Sequence, residues 1–251
     1  MHRLAALLVA AVIAAHAADP VADLLARTQE QYWTAPSFHI AATYRCAPEG
    51  HNGPFIHIVW DSQGEKYLRL TLSGIRLDRG YFDTGDDSGR HGPSVINYAD
   101  PVSWSVRVVA DGAALWTEYP RQHRYESRAL TSFRGDWTAD SAYQMLIGRY
   151  SRLSARSGSA RIVESTGCCT VVETTDPADR VRHRYWIDRR AYLVRKEDVH
   201  SKTGRWSLTY GVVQPGGTAT QAMFQFKPGG RSRPGPGRQS FFLGTPVPDY
   251  R

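Results

Sequence analysis

Residues 106–127, VRVVADGAALWTEYPRQHRYES, constrain the fold more than any other stretch of the chain. Val106 and Val108 alternate with Arg107 and Val109, the pattern of a strand with two different faces. Asp111-Gly112 then supplies a tight turn, because Gly accepts positive φ and Asp tolerates it. Leu115, Trp116 and Tyr119 are bulky β-formers. Pro120 has no backbone donor and ends the second strand, and a third begins at His123. Three strands joined by short turns start an antiparallel sheet.

The flanks extend that sheet. Over residues 37–45, Phe38, Ile40, Ala42 and Tyr44 share one face, with His39, Ala41, Thr43 and Arg45 on the other. Residues 55–60 and 66–72 read as the next two strands, with turn chemistry over 61–64. Leu68, Leu70 and Leu72 oppose Tyr67, Arg69 and Thr71, so one face is apolar. Five more strands are expected over 161–164, 169–174, 181–188, 192–200 and 205–213, the last with Trp206, Leu208, Tyr210 and Val212 in one row.

Two segments carry helical spacing instead. Residues 19–32 place Val21, Leu24, Leu25, Thr28 and Tyr32 on one stripe, with Pro20 in the first turn. A second helix starts from a cap at Thr138 or Asp140 and runs to about Arg152, burying Met145 and Leu146. Residues 73–103 hold many Gly and Pro and the acidic group Asp83, Asp86 and Asp87, and read as an insertion. Residues 229–239 are a Pro/Gly/Arg linker too poor in apolar groups to pack.

Arg3, an apolar run over 4–15 and Ala15-His16-Ala17 have the order of a secretory signal peptide over residues 1–17. No Cys follows it, so the mature protein is expected in the periplasm or secreted, without a lipid anchor. The formal net charge of +7 suits anionic lipid as readily as nucleic acid, and no nucleic-acid module is present, so no nucleic-acid partner is expected. Three cysteines leave one unpaired, and Cys46 is a candidate disulfide partner for Cys168 or Cys169. Adjacent cysteines on a strand point to opposite faces. Cys46, His51 and His57 follow no standard zinc spacing, and no nucleophile, metalloprotease or phosphate-loop motif is present. No cofactor and no metal are expected, and the chain is read as non-enzymatic.

The central hairpin resembles the signature of the LolA-like periplasmic outer-membrane lipoprotein carriers, V-x-D-G-x-x-L-W-x-Y-x-P with a Tyr soon after. Here it is Val109, Asp111, Gly112, Leu115, Trp116, Tyr119, Pro120 and Tyr125, with the Pro one position early. The resemblance extends from about Ala22 to Pro228, through S-F-H-x-x-x-x-Y at 37–44 and a closing F-x-F-x-P strand at 224–228. It implies a mainly β (α+β) domain over 18–228, a curved antiparallel sheet forming an incomplete barrel with a helical lid. A closed lipocalin-like barrel is the alternative.

It also implies a cavity that holds acyl chains of lipoproteins or other envelope lipids. The acyl contacts would be Phe38, Ile40, Ala42, Ile56, Ile58, Trp60, Leu68, Leu70, Leu72, Trp116, Met145, Leu146, Trp206, Leu208 and Tyr210. Classical carriers hold the lid through an arginine in an Arg-Pro pair. This chain has Lys66-Tyr67-Leu68-Arg69-Leu70 there, without the Pro, and Arg69 is the expected lid contact. Residues 240–251 resemble the opening L-x-G-x-P-x-P-D-aromatic of redoxin domains, but no C-x-x-C is present, so 229–251 reads as a linker and a truncated redoxin-like start. A lipid-sensing envelope regulator and an accessory to a thiol-redox protein are the other functions weighed. Lys227, Arg231, Arg233 and Arg238 are a candidate tether to an anionic membrane surface, and a monomer is expected.

Overall fold

Asp19 opens the first helix, α1 (Pro20–Thr34), by accepting from Val21 N at 3.0 Å, with Pro20 in the first turn. Its buried residues, Val21, Leu25, Thr28 and Tyr32, form one stripe that lies on the sheet. The computed structural model describes residues 19–47, 55–77, 101–176, 180–201, 204–217 and 219–235. The expected signal peptide at 1–17, His51, the acidic group at 83–87 and residues 236–251 lie outside these.

Twelve strands form one sheet among the described residues. They are β1 (Ser37–Ala47), β2 (Phe55–Gln63), β3 (Tyr67–Leu77), β4 (Pro101–Asp111), β5 (Ala114–Tyr119), β6 (Arg124–Ala129), β7 (Arg161–Ser165), β8 (Cys169–Thr175), β9 (Arg182–Asp188), β10 (Val194–Ser201), β11 (Gly204–Pro215) and β12 (Arg233–Pro234). Their spatial order is β12-β6-β5-β4-β3-β2-β1-β11-β10-β9-β8-β7, antiparallel except for β12 on β6. Two meanders, β1–β6 and β7–β11, are joined where β1 pairs with β11. The order ends at β12 and β7, so the sheet is open and not a closed barrel.

The central hairpin forms as its residues dictate. Gly112 takes φ +96°, and Asp111 Oδ1 accepts from Ala113 N and Ala114 N at 3.0 and 2.8 Å. Burial opposes that carboxylate, but these amides and Trp116 outweigh it and hold Asp111 below its ordinary pKa. β3 runs on to Leu77 and β4 begins at Pro101, so both ends of the irregular stretch expected over 73–103 are strand, and 78–100 lie outside the described residues. Gly74 permits the extension: a Cβ there would lie 2.1 Å from Phe55 O on the neighbouring strand.

The second helical region is broken where one helix was expected. A 3-10 turn (Phe133–Gly135), α2 (Trp137–Tyr143), a π turn (Gln144–Gly148) and a 3-10 segment (Tyr150–Ser159) follow in order. Neither Thr138 nor Asp140 caps α2. Asp136 does so, accepting from Ala139 N at 2.9 Å while Arg128 holds its other oxygen at 2.7 Å. Met145, Leu146 and Ile147 are all buried. Three consecutive inward side chains exceed what one α-helical stripe presents, and a π turn accommodates them.

The C-terminal segment departs most from expectation. Residues 224–228 do not form a strand; they cross the outer face of β3–β6. Phe224 is buried against Tyr67, and Phe226 stacks on Trp116 with centroids 4.8 Å apart. Residues 229–235, read as an unpacked linker, are fixed. Buried Glu118 accepts from Gly229 N and Ser232 Oγ, both at 2.7 Å, and also binds Arg107, while β12 pairs with β6.

Candidate functional site

Alternation places one row of side chains from each strand under the helices. Phe38, Ile40, Ala42 and Tyr44 on β1, Ile56, Ile58 and Trp60 on β2, and Leu68, Leu70 and Leu72 on β3 are all buried in this core. Val106, Val108 and Ala110 on β4 and Leu115 on β5 continue it. The roof above supplies Leu25 and Tyr32 from α1, Phe133, Ala139 and Ala142, then Met145, Leu146, Ile147, Tyr150 and Leu153. Phe133 meets the Trp60 ring edge-on at 5.5 Å.

At the β9–β11 end the inner face becomes polar. Glu197 on β10 is fully buried and accepts from His183 Nδ1 on β9 at 2.9 Å, and from Tyr150 OH and Arg149 Nη1 of the roof at 2.8 and 3.0 Å. Tyr210 OH on β11 donates to Tyr150 OH at 3.0 Å and also lies 3.3 Å from Leu146 O. Tyr32 OH accepts from Val194 N at 3.2 Å, and Arg149 lies over the Trp206 ring at 4.5 Å. Burial alone would raise the Glu197 pKa; Arg149, His183 and Tyr150 outweigh it and hold the group ionised, below its ordinary value. Burial holds His183 below its ordinary pKa against the pull of Glu197, so the ring is neutral near pH 7 and donates through Nδ1. Burial raises Tyr150 and Tyr210, which stay protonated. This cluster ties one end of the roof to the sheet, with Glu197, His183 and Tyr150 buried and Arg149 at its margin.

Of the residues assigned to acyl contact, all but Trp116 belong to this core, Met145 and Leu146 in the roof and the rest on the inner face of the sheet. Trp116 faces outward, in the opposite phase to Leu115; it stacks on Phe226 and donates to Asp111 Oδ2 at 3.0 Å. Arg69 is exposed, in the opposite phase to Leu68 and Leu70, so it points away from the roof and is not the lid contact. Two arginines tie roof to sheet: Arg149, from the roof, binds Glu197, and Arg128, from β6, binds Asp136. The row expected on β11 also shifts. Gly211 is an extra residue opposite Ala41 and Ala42, so Val213 faces inward and Val212 outward.

Cys168 and Cys169 are bonded to each other, at the bend before β8, rather than to Cys46. They need not point to opposite faces, because Cys168 precedes the strand. β8 is also separated from β1 by β9, β10 and β11.

No family model matches the chain, and no curated protein matches it. Solved structures resemble it over most of its length. LprF from Mycobacterium bovis aligns at 12% identity and a TM-score of 0.46, over 83% of this chain and 97% of that one. MucB in the MucA/MucB complex of Pseudomonas aeruginosa aligns at 14% identity and 0.41, over 82% of this chain and 61% of that one. A LolA superfamily protein from Nitrosomonas europaea aligns at 14% identity and 0.32, over 81% of this chain and 96% of that one.

Proposed function

We propose that this chain is a non-enzymatic binder of acyl chains, an exported carrier of lipoproteins or other envelope lipids that holds their tails between the apolar floor and the helical roof. One observation carries the reading. The floor is apolar from β1 to β4 except at Ser62, which accepts from Trp60 Nε1, while its roof is divided into short helical pieces and bonded to the sheet near its two ends, by the Glu197 cluster and by Arg128 on Asp136. The roof passes through the π turn and breaks at Arg152, whose φ of −127° is not helical. On this reading its pieces part from the floor one at a time. An acyl chain entering between them exchanges apolar contact for apolar contact and requires no group to react.

Burying methylenes contributes about 0.8 kcal/mol each, which sets the test. Fluorescent fatty acids of increasing length are titrated into the full chain. Affinity should rise by roughly fourfold per added methylene until the floor is filled. A series whose affinity is flat with length would sink the proposal, because it would place the contact at the headgroup.

A further inference from the structure

The outer face of β9–β11 is exposed and strongly basic. Arg182, His200 and Arg205 are direct cross-strand partners in one row. The next row holds Arg184, Asp198, Ser207 and Arg45. In the third, Lys196 Nζ lies 4.3 Å from the Trp186 ring centroid. Arg161 joins from β7 through Glu173, which accepts from Arg161 Nη2 at 2.6 Å and Arg184 Nη2 at 3.0 Å, with Arg182 Nε at 3.9 Å. Six cations thus face three carboxylates: Glu173, Asp198, and Glu164, which ends the third row on β7. The Glu173 and Asp198 side chains are 4% and 23% exposed, whereas Arg161 and Arg182 are 72% and 48% exposed.

In the first row two guanidinium groups flank one histidine, and the row contributes nothing to the core. His200 registers the field: burial first, then Arg182 and Arg205, hold it below its ordinary pKa, against Asp198. We propose that this face docks on an anionic bilayer surface, whose headgroups supply the negative charge that the sheet lacks. The broad outer face of a sheet, about 14 Å from β9 to β1 at ordinary strand spacing, fits a plane rather than a peptide. Trp186 at its margin has the amphipathic ring that settles at headgroup level. The proposal is independent of acyl binding inside the fold.

Sedimentation of the full chain with vesicles tests it, using phosphatidylcholine alone or mixed with phosphatidylglycerol, at low and moderate salt. Binding is expected only to the mixed vesicles and should weaken with salt. Arg182→Ser/Arg205→Ser should lose roughly 30-fold in affinity. Arg231→Ser/Arg233→Ser removes the same charge from the C-terminal segment and should lose less than about threefold. The His200 titration, followed by NMR, should move upward when mixed vesicles are added. Unchanged binding by the first variant, or an equal loss in both, would overturn the proposal; the latter would mean net charge alone. Polyglutamate that binds the full chain and is not displaced by mixed vesicles would also overturn it, in favour of an acidic protein partner. The fatty-acid series is run without vesicles, so either reading can fail alone.

Discussion

The two halves of the sheet are built on opposite plans. From β1 to β4 the inner face is apolar except at Ser62, and the outer face of β3–β6 is covered by the C-terminal segment, with Phe226 on Trp116 and Glu118 holding Gly229 and Ser232. From β9 to β11 the inner face carries Glu197, His183 and Tyr210, and the outer face is exposed and basic. The first half is stabilised by removing apolar surface from water, which is tolerant of exchange for any other apolar surface. The second is stabilised by matched polar groups, which tolerate no exchange without a replacement partner. On the proposed reading, the apolar half takes up the ligand and the polar half keeps its end of the roof attached.

Single substitutions in the two halves should separate these plans. Glu197→Leu leaves Arg149, His183 and Tyr150 without their shared acceptor and should cost about 4 kcal/mol in urea unfolding. Adding Arg149→Met should recover more than half of that, because the uncompensated charge is gone. Leu70→Ala on the floor should cost about 3 kcal/mol, from lost transfer energy and the cavity left behind. A long fatty acid should restore part of the Leu70→Ala loss by filling the space, and none of the Glu197→Leu loss. Equal rescue of both would erase the distinction between the halves.

Acid should weaken the second half first. The ordinary His pKa is 6.5, and burial holds His183 below it, with Arg149 and Arg156 adding to the effect and Glu197 opposing it. The unfolded chain therefore takes up a proton that the folded one refuses, and stability falls as pH drops below 6.5. Glu197 has the same sign lower down: its contribution is full above 4.5 and is lost as pH falls through its lowered folded value. The urea midpoint should decline between pH 7 and 5, and His183→Gln should flatten the decline. His200 shifts in the same direction, so His200→Gln is the necessary comparison. A midpoint independent of pH in the parent protein would contradict the buried neutral imidazole.

Much of this was legible in the sequence because alternation is a local signal. The rows at 38–44 and 68–72 and the Asp111-Gly112 turn follow from side-chain period and turn chemistry alone. Arg69 misled because a family role was carried onto a residue whose own phase, opposite to Leu68 and Leu70, points outward. Glu197 and His183 had a readable sign that was missed. Each lies two residues before an inward side chain, Val199 and Tyr185, so each is a polar residue in an apolar phase. The break in the second helix and the path of residues 221–235 were not legible. Both depend on surfaces, Trp60 and Glu118, that only the assembled sheet creates.

The seam between the halves gives the finest test, and the smallest effect. β11 carries Tyr210 of the polar cluster and, three residues on, Val213 opposite Ile40 of the apolar floor. Strict alternation from Trp206 and Leu208 would turn Val212 inward, but Gly211 is bulged out of the ladder and moves the inward position to Val213. Val213 is 5% exposed and Val212 37%. Val213→Ala should therefore cost about 2 kcal/mol. Val212→Ala should stay within about 0.5 kcal/mol of the parent. If the two costs came out reversed, β11 would run without the bulge. Tyr210 and the floor would then share one unbroken row, and the boundary between the polar and apolar halves would not lie at Gly211.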